Sequence, residues 1–79
     1  MTELNKLSNV ISNNELMNRY FNNHSDDDCK RLQDTIRDIA DNKNNTPEEE
    51  ALARSILRLY TAKWMMWAVV GDCSHVRLA

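Results

Sequence analysis

Glycine and proline are almost absent from this sequence, whose 79 residues include one of each. Tight hairpin turns usually need glycine, and loops that cradle phosphate groups need several. β-branched residues also never alternate with polar residues over the length of a strand. These shortages argue against a β-sheet and against a glycine-rich nucleotide-binding loop, and they favour helices.

The sequence is also poor in cysteine, in net charge and in long apolar runs. Cys29 and Cys73 follow no recognisable secretory signal, so we expect reduced thiols and no disulfide framework. A net charge of −2 disfavours nucleic acid as a partner. The longest apolar run, residues 64–70, is far shorter than the ~20 residues that span a bilayer. We therefore expect a cytoplasmic protein with no membrane association.

Neither a repeat nor a low-complexity tract divides the chain. A chain this short can bury only about 60% of the surface that it exposes when unfolded. The sequence therefore predicts one helical domain, residues 1–79, of modest stability.

The clearest helix signal begins at Thr46. Thr46 and Glu49 fit a capping box, and Pro47 suits the first helical position. Gly71 is a natural left-handed terminator, so we predict a helix over about 47–70. The apolar positions that recur at helical spacing along it are Leu52, Ile56, Leu59, Tyr60, Met66, Trp67 and Val70.

The earlier part of the chain predicts two or three shorter helices. Ser25 and the three aspartates after it suit a helix start, which predicts a helix over 26–42. Ser12 to Glu15 fits a capping box, which favours two helices, about 3–11 and 13–22, over one helix kinked at 12–14. At the end of the chain, Val76 and Leu78 either fold back on the last helix or fray.

The predicted fold class is therefore all-α, a small three- or four-helix bundle with its longest helix last. That last helix carries more apolar surface than short neighbours require. Arg54, Arg58 and Thr61 form a polar edge, but towards the C-terminal end this edge gives way to Met65 and Val69.

Two explanations of this apolar surplus are compatible. The helix can be the central one, wrapped by the others, and its second half can also offer a surface to a partner, because large apolar patches on small proteins usually mark contact sites. We predict Trp64, Met65 and Trp67 as apolar anchors, since aromatic residues and methionine are enriched in interface cores. The predicted polar border is Lys63, Arg54 and Arg58.

Lys63 is unexpected, because it falls near the middle of the apolar arc of the last helix. Its ammonium can extend past its neighbours to water, or it can pair with a carboxylate of the preceding helix. At an interface, Lys63 would instead be a specificity residue.

No set of residues indicates catalysis or a cofactor. His24, Cys29, Cys73 and His75 match a zinc site in number but not in spacing, since the local pairs are H-x4-C and C-x-H. The runs 26–28 and 48–50 are acidic, but both lie at predicted helix starts, where the helix dipole accounts for them. We expect no metal, no cofactor and no enzymatic activity.

The function that these patterns favour is stoichiometric binding of another protein, as a regulator or inhibitor. Small asparagine-rich domains of this kind suit products of phages or other mobile elements directed at a host protein complex. One alternative is a structural homodimer or small subunit of an assembly. Another is a helical DNA-binding regulator, if Arg54 and Arg58 converge with Arg31 and Arg37, and a third is an acidic mimic of DNA.

Overall fold

A computed structural model describes residues 2–76 of the chain, and these residues form a small all-α bundle with its longest helix last, as the sequence predicts. The four helices are α1 (Thr2–Ser12), α2 (Asn14–Asn23), α3 (Asp26–Ala40) and α4 (Pro47–Val70). α4 packs against each of the other three helices, so it is the central element.

Local capping signals define the start of α3 and both ends of α4. Thr46 and Glu49 form the predicted capping box, and Ser25 accepts a hydrogen bond from the Asp28 amide. α4 ends at Gly71, whose φ of 76° is left-handed and whose N–H donates to the carbonyl of Trp67. These three signals were readable because each involves residues close together in sequence.

α1 and α2 are separate helices, as the sequence predicts. The residue that caps the start of α2 is Asn13 and not Ser12. Asn13 adopts an extended conformation and its side chain accepts from the amide of Leu16 at 3.0 Å. Ser12 remains the last residue of α1. Asparagine and serine are comparably good caps, so the sequence left the boundary uncertain by one residue.

α3 ends at Ala40, two residues earlier than predicted. The reason is the asparagine-rich turn that follows it: the side-chain amide of Asn45 donates to the carbonyl of Ile39 at 2.7 Å, and the Asn42 side chain accepts from the amide of Asn44. Short polar side chains compete in this way with helical backbone hydrogen bonds.

The core forms where the other three helices meet α4. Tyr60 of α4 is fully buried, and its hydroxyl donates to the carbonyl of Cys29 in α3 at 2.7 Å. A second polar link joins the same two helices, since the Gln33 side chain donates to Thr61 at 3.1 Å. The other large side chains with almost no exposed surface are Ile11, Met17, Phe21, Ile36 and Ile56.

The residues after α4 fold back towards α2. The side-chain amide of Asn18 donates to Asp72 and accepts from the Cys73 amide, both at 2.9 Å. Cys73 is completely buried by this arrangement, and Val76 is partly buried. Leu78, the other residue predicted to fold back, lies outside the described residues.

Among residues 2–76, no helix combines the length and the apolar character needed to cross a membrane.

Candidate functional site

The C-terminal half of α4 exposes apolar side chains to solvent. Met65, Val69 and Val70 are 64%, 81% and 58% exposed. We use the name α4 apolar surface for Ala62, Met65, Met66, Ala68, Val69 and Val70. The surface stays uncovered because α4, at 24 residues, is much longer than the 15-residue α3 and the still shorter α1 and α2.

Met65 stands between two shallow grooves on this surface. One groove, about 270 Å³ in volume, is lined by Asp26, Trp64, Met65 and Ala68. The other, about 360 Å³, is lined by Ala62, Met65, Met66 and Val69. Single apolar residues on a surface are common, but a set that shares grooves is typical of a contact site.

The two predicted tryptophan anchors lie mainly against the core. The ring of Trp67 packs 5.7 Å from that of Phe21, and Trp64 packs 6.3 Å from Tyr60. Trp64 also lines the groove beside Met65, so one side of its ring is available at the surface. Trp67 lines neither groove, and its buried Nε1 has no hydrogen-bond partner among the described residues.

Lys63 is buried, with 3% of its surface exposed. Its Nζ donates to the carbonyl of Ile11 at 2.7 Å. Ile11 belongs to the last turn of α1, which has no basic residue of its own. The ammonium therefore complements the negative end of the α1 dipole, a role that lysine usually fills within its own helix.

This placement gives no support to Lys63 as a contact residue. Its side chain neither extends to water nor pairs with a carboxylate among the described residues. Burial lowers the pKa of the Lys63 ammonium, because removal from water disfavours the charged form.

Arg54 and Arg58 are exposed on the first half of α4, before the α4 apolar surface begins. Arg54 forms ion pairs with two carboxylates, Glu50 at 3.1 Å and Asp41 at 3.6 Å. Arg58 contacts the hydroxyl of Ser55 at 3.4 Å and has no ion-pair partner within residues 2–76. Of the two, only Arg58 offers an uncompensated charge beside the surface.

The start of α3 provides a negative edge to the same surface. Asp28 pairs with Arg31 at 3.0 Å. Asp26 and Asp27 are exposed and have no ion-pair partner in the described part of the chain. Asp26 lines the groove with Trp64 and Met65, so its charge lies next to the apolar side chains, and Asp27 is the next residue of the same helix turn.

The histidines and cysteines weighed as zinc ligands are not brought together. His24 stacks on Tyr20, and His75 lies 4.0 Å from Asp72. Cys29 and Cys73 are free and buried in different parts of the core. Across residues 2–76, no group of three or more His, Cys, Asp or Glu side chains is placed to hold a metal ion.

Val69 and Val70 are large apolar residues of α4 that are exposed but were not among the predicted anchors. The sequence indicates that Val69 is exposed, because Val69 lies on the polar edge that begins with Arg54 and Arg58. No pattern in the sequence indicates the exposure of Val70, because its helical position lies on the buried arc. Val70 is exposed because it is the last residue of α4, beyond the packed region.

Comparison with known proteins finds no matching family model, no matching curated protein and no matching solved structure.

Proposed function

We propose that this protein is a small non-enzymatic interaction module that binds another protein through the α4 apolar surface and acts as a stoichiometric regulator or inhibitor. The observation that carries the proposal is the exposure of Met65 and Val69, at 64% and 81%, beside two grooves. Exposing such side chains to water has an unfavourable free energy that a partner would relieve.

The division of roles within α4 supports the proposal. The first half of the helix buries Ala53 and Ile56 in the core and shows arginines to solvent, as expected for a helix that only stabilises the bundle. The second half keeps Trp67 against the core but replaces the outer polar residues with Met65 and Val69. Bundle stability does not require these outer apolar residues.

The experiment is capture from a lysate of the source cells, with wild-type protein and two variants. Met65→Gln/Val69→Gln replaces both exposed apolar side chains with glutamine, which is polar and a good helix former. Val10→Gln is the matched control, because Val10 is also exposed, at 45%, but lies on α1. We expect a protein that wild type and Val10→Gln retain and the double variant loses, and that forms a complex of fixed stoichiometry with purified wild type in light scattering.

Stability measurements on the same variants guard against an unfolding artefact. Met65→Gln/Val69→Gln should change the free energy of unfolding by no more than about 0.5 kcal/mol, because both sites are exposed. Trp67→Ala should lower it by about 3 kcal/mol, because it removes packing against Phe21. Equal capture by wild type and the double variant would contradict the proposal.

The DNA-binding alternative receives less support from the arginines. Arg54 is engaged by Glu50 and Asp41, so it is not free to contact a phosphate without breaking those pairs. Arg58 is followed along the outer face of the helix by Ala62 and Met65, which are apolar. We therefore favour a protein partner over duplex DNA.

A further inference from the structure

The two grooves beside Met65 have the spacing of a helix-binding surface. Ala62, Met65, Met66 and Val69 follow the i, i+3, i+4, i+7 pattern along one face of α4. Side chains at this spacing form a ridge that fits the groove of another helix. An amphipathic helix laid along α4 would bury Met65 between its own apolar side chains.

The border of this surface carries negative charge. Asp26 lines one groove, Asp27 is its neighbour in the first turn of α3, and both carboxylates are unpaired among residues 2–76. Asp26 and Asp27 lie at the positive N-terminal end of the α3 dipole, but the negative C-terminal end of α4 is nearby and its last turn contains no basic residue, so the two dipole ends offset one another. Arg58, an exposed cation of α4 with no ion-pair partner among residues 2–76, lies at the opposite end of the surface, one turn before Ala62.

A second copy of the chain fits this border poorly. In a two-fold pairing of antiparallel α4 helices about Met65, the α3 helices of both copies lie on the same side of the contact. Asp26 and Asp27 of one copy would then face the same aspartates of the other, and like charges brought together at an interface cost affinity. The charges suit a cationic partner.

We propose that the α4 apolar surface binds an amphipathic helix of a partner protein that presents an apolar stripe to Met65 and Val69 and basic residues to Asp26 and Asp27. The inference rests on the proposed function and specifies the chemistry of the partner. The apolar contacts supply most of the affinity, while the aspartates select basic helices over acidic ones and speed association.

The test uses two synthetic tryptophan-free helical peptides of about 18 residues, five turns at 3.6 residues per turn. Both carry the same leucine stripe, and their polar positions are lysine in one peptide and glutamate in the other. Fluorescence of the protein's own tryptophans reports binding, since Trp64 lines the groove next to Met65. We expect the lysine peptide to bind at least about tenfold more tightly than the glutamate peptide, with an advantage that shrinks as salt is added.

Variants assign the binding to the surface. Asp26→Asn/Asp27→Asn should lower the affinity for the lysine peptide by about threefold to tenfold, which is the effect expected from the loss of two partly exposed charge pairs. Asp38→Asn/Glu48→Asn is the control of equal charge, because Asp38 and Glu48 are also exposed and unpaired within residues 2–76 but line neither groove. Met65→Gln/Val69→Gln should lower the affinity for both peptides by about tenfold or more.

Three outcomes would overturn the inference. Both peptides could bind equally, both could fail to bind, or the chain could form a dimer that Met65→Gln/Val69→Gln abolishes, which would make a second copy the occupant. Each differs from failure of the proposed function. That failure would appear as a protein that wild type and Met65→Gln/Val69→Gln capture equally.

Discussion

Lys63 shows at the scale of a single residue how a buried charge is accommodated. A lone ammonium in a protein interior is costly unless it is hydrogen-bonded, and here its acceptor is the Ile11 carbonyl, which the end of α1 leaves without a helical donor. The contact joins residues 52 apart in the chain. Sequence alone marks Lys63 as anomalous but does not reveal its partner.

Substitution of Lys63 should distinguish this structural role from a role in contact with a partner. Lys63→Ala leaves a cavity and an unpaired carbonyl, so the free energy of unfolding should fall by about 2 to 4 kcal/mol. Lys63→Met fills the space and removes the charge, so its effect should be smaller than that of alanine. Urea unfolding measures both, and a Lys63→Ala protein as stable as wild type would contradict the burial of this side chain.

The segment after α4 shows the same dependence on distant contacts at the scale of an element. Residues 72–76 have no regular pattern, yet the Asn18 side chain fixes them to α2 by hydrogen bonds to Asp72 and Cys73. The Asp72 carboxylate also accepts from the Ser74 amide at 2.9 Å. Hydrogen bonds from Ser74 and Asn18 lower the pKa of Asp72 to about 2.

Asn18→Ala should release this segment from α2. Loss of both hydrogen bonds exposes the Cys73 thiol, so its reaction with a thiol reagent should accelerate while Cys29, held in the core by α3, stays protected. Peptide mapping by mass spectrometry separates the two cysteines. Asn23→Ala is the matched control, because the Asn23 amide bonds only within α2, to Arg19; equal labelling of Cys73 in both variants would refute the role of Asn18.

Acid should weaken the same attachment. A carboxylate whose pKa is lowered on folding contributes stability that is present above its unfolded value, about 3.9, and lost as pH falls towards 2. The hydrogen bonds of Asp72 are therefore maintained at neutral pH.

The buried titratable groups act together at the scale of the whole molecule. Burial raises the pKa of the Tyr60 hydroxyl and of the Cys29 and Cys73 thiols, and it raises that of Tyr20 as well. Each of these groups is neutral when protonated, so the folded state keeps protons that the unfolded chain loses above its usual values of about 8.5 for cysteine and 10 for tyrosine.

Stability should therefore fall as pH rises above about 8.5. Lys63 opposes the trend, because its pKa is lowered and the folded state releases that proton first. Within this range the two thiols ionise in the unfolded chain and one amine opposes them, so we expect a net loss of stability. Urea unfolding midpoints between pH 7 and pH 10 in reducing buffer measure this loss. Lys63→Met should steepen the decline of the midpoint with pH, and Cys73→Ala should make it shallower. A midpoint that rises with pH would contradict the raised pKa values of the buried thiols.

The sequence by itself determined the helices and their limits to within about two residues. Thr46, Ser25 and Gly71 act on backbone groups one turn away, and apolar periodicity identified α4 as the helix with the most to bury. It also marked Met65 as a surface residue, because Met65 continues an edge that begins with Arg54 and Arg58.

Only the tertiary structure decided which apolar residues of α4 are core and which are surface. Trp67 and Met65 look alike as candidate anchors, but the ring of Trp67 packs against Phe21, whereas Met65 is left 64% exposed. The same holds for Lys63, whose acceptor lies on α1, and for Asp26, whose position beside Met65 depends on how α3 meets α4. Helix formation follows from neighbours in sequence, whereas burial depends on which neighbours the folded chain brings together in space.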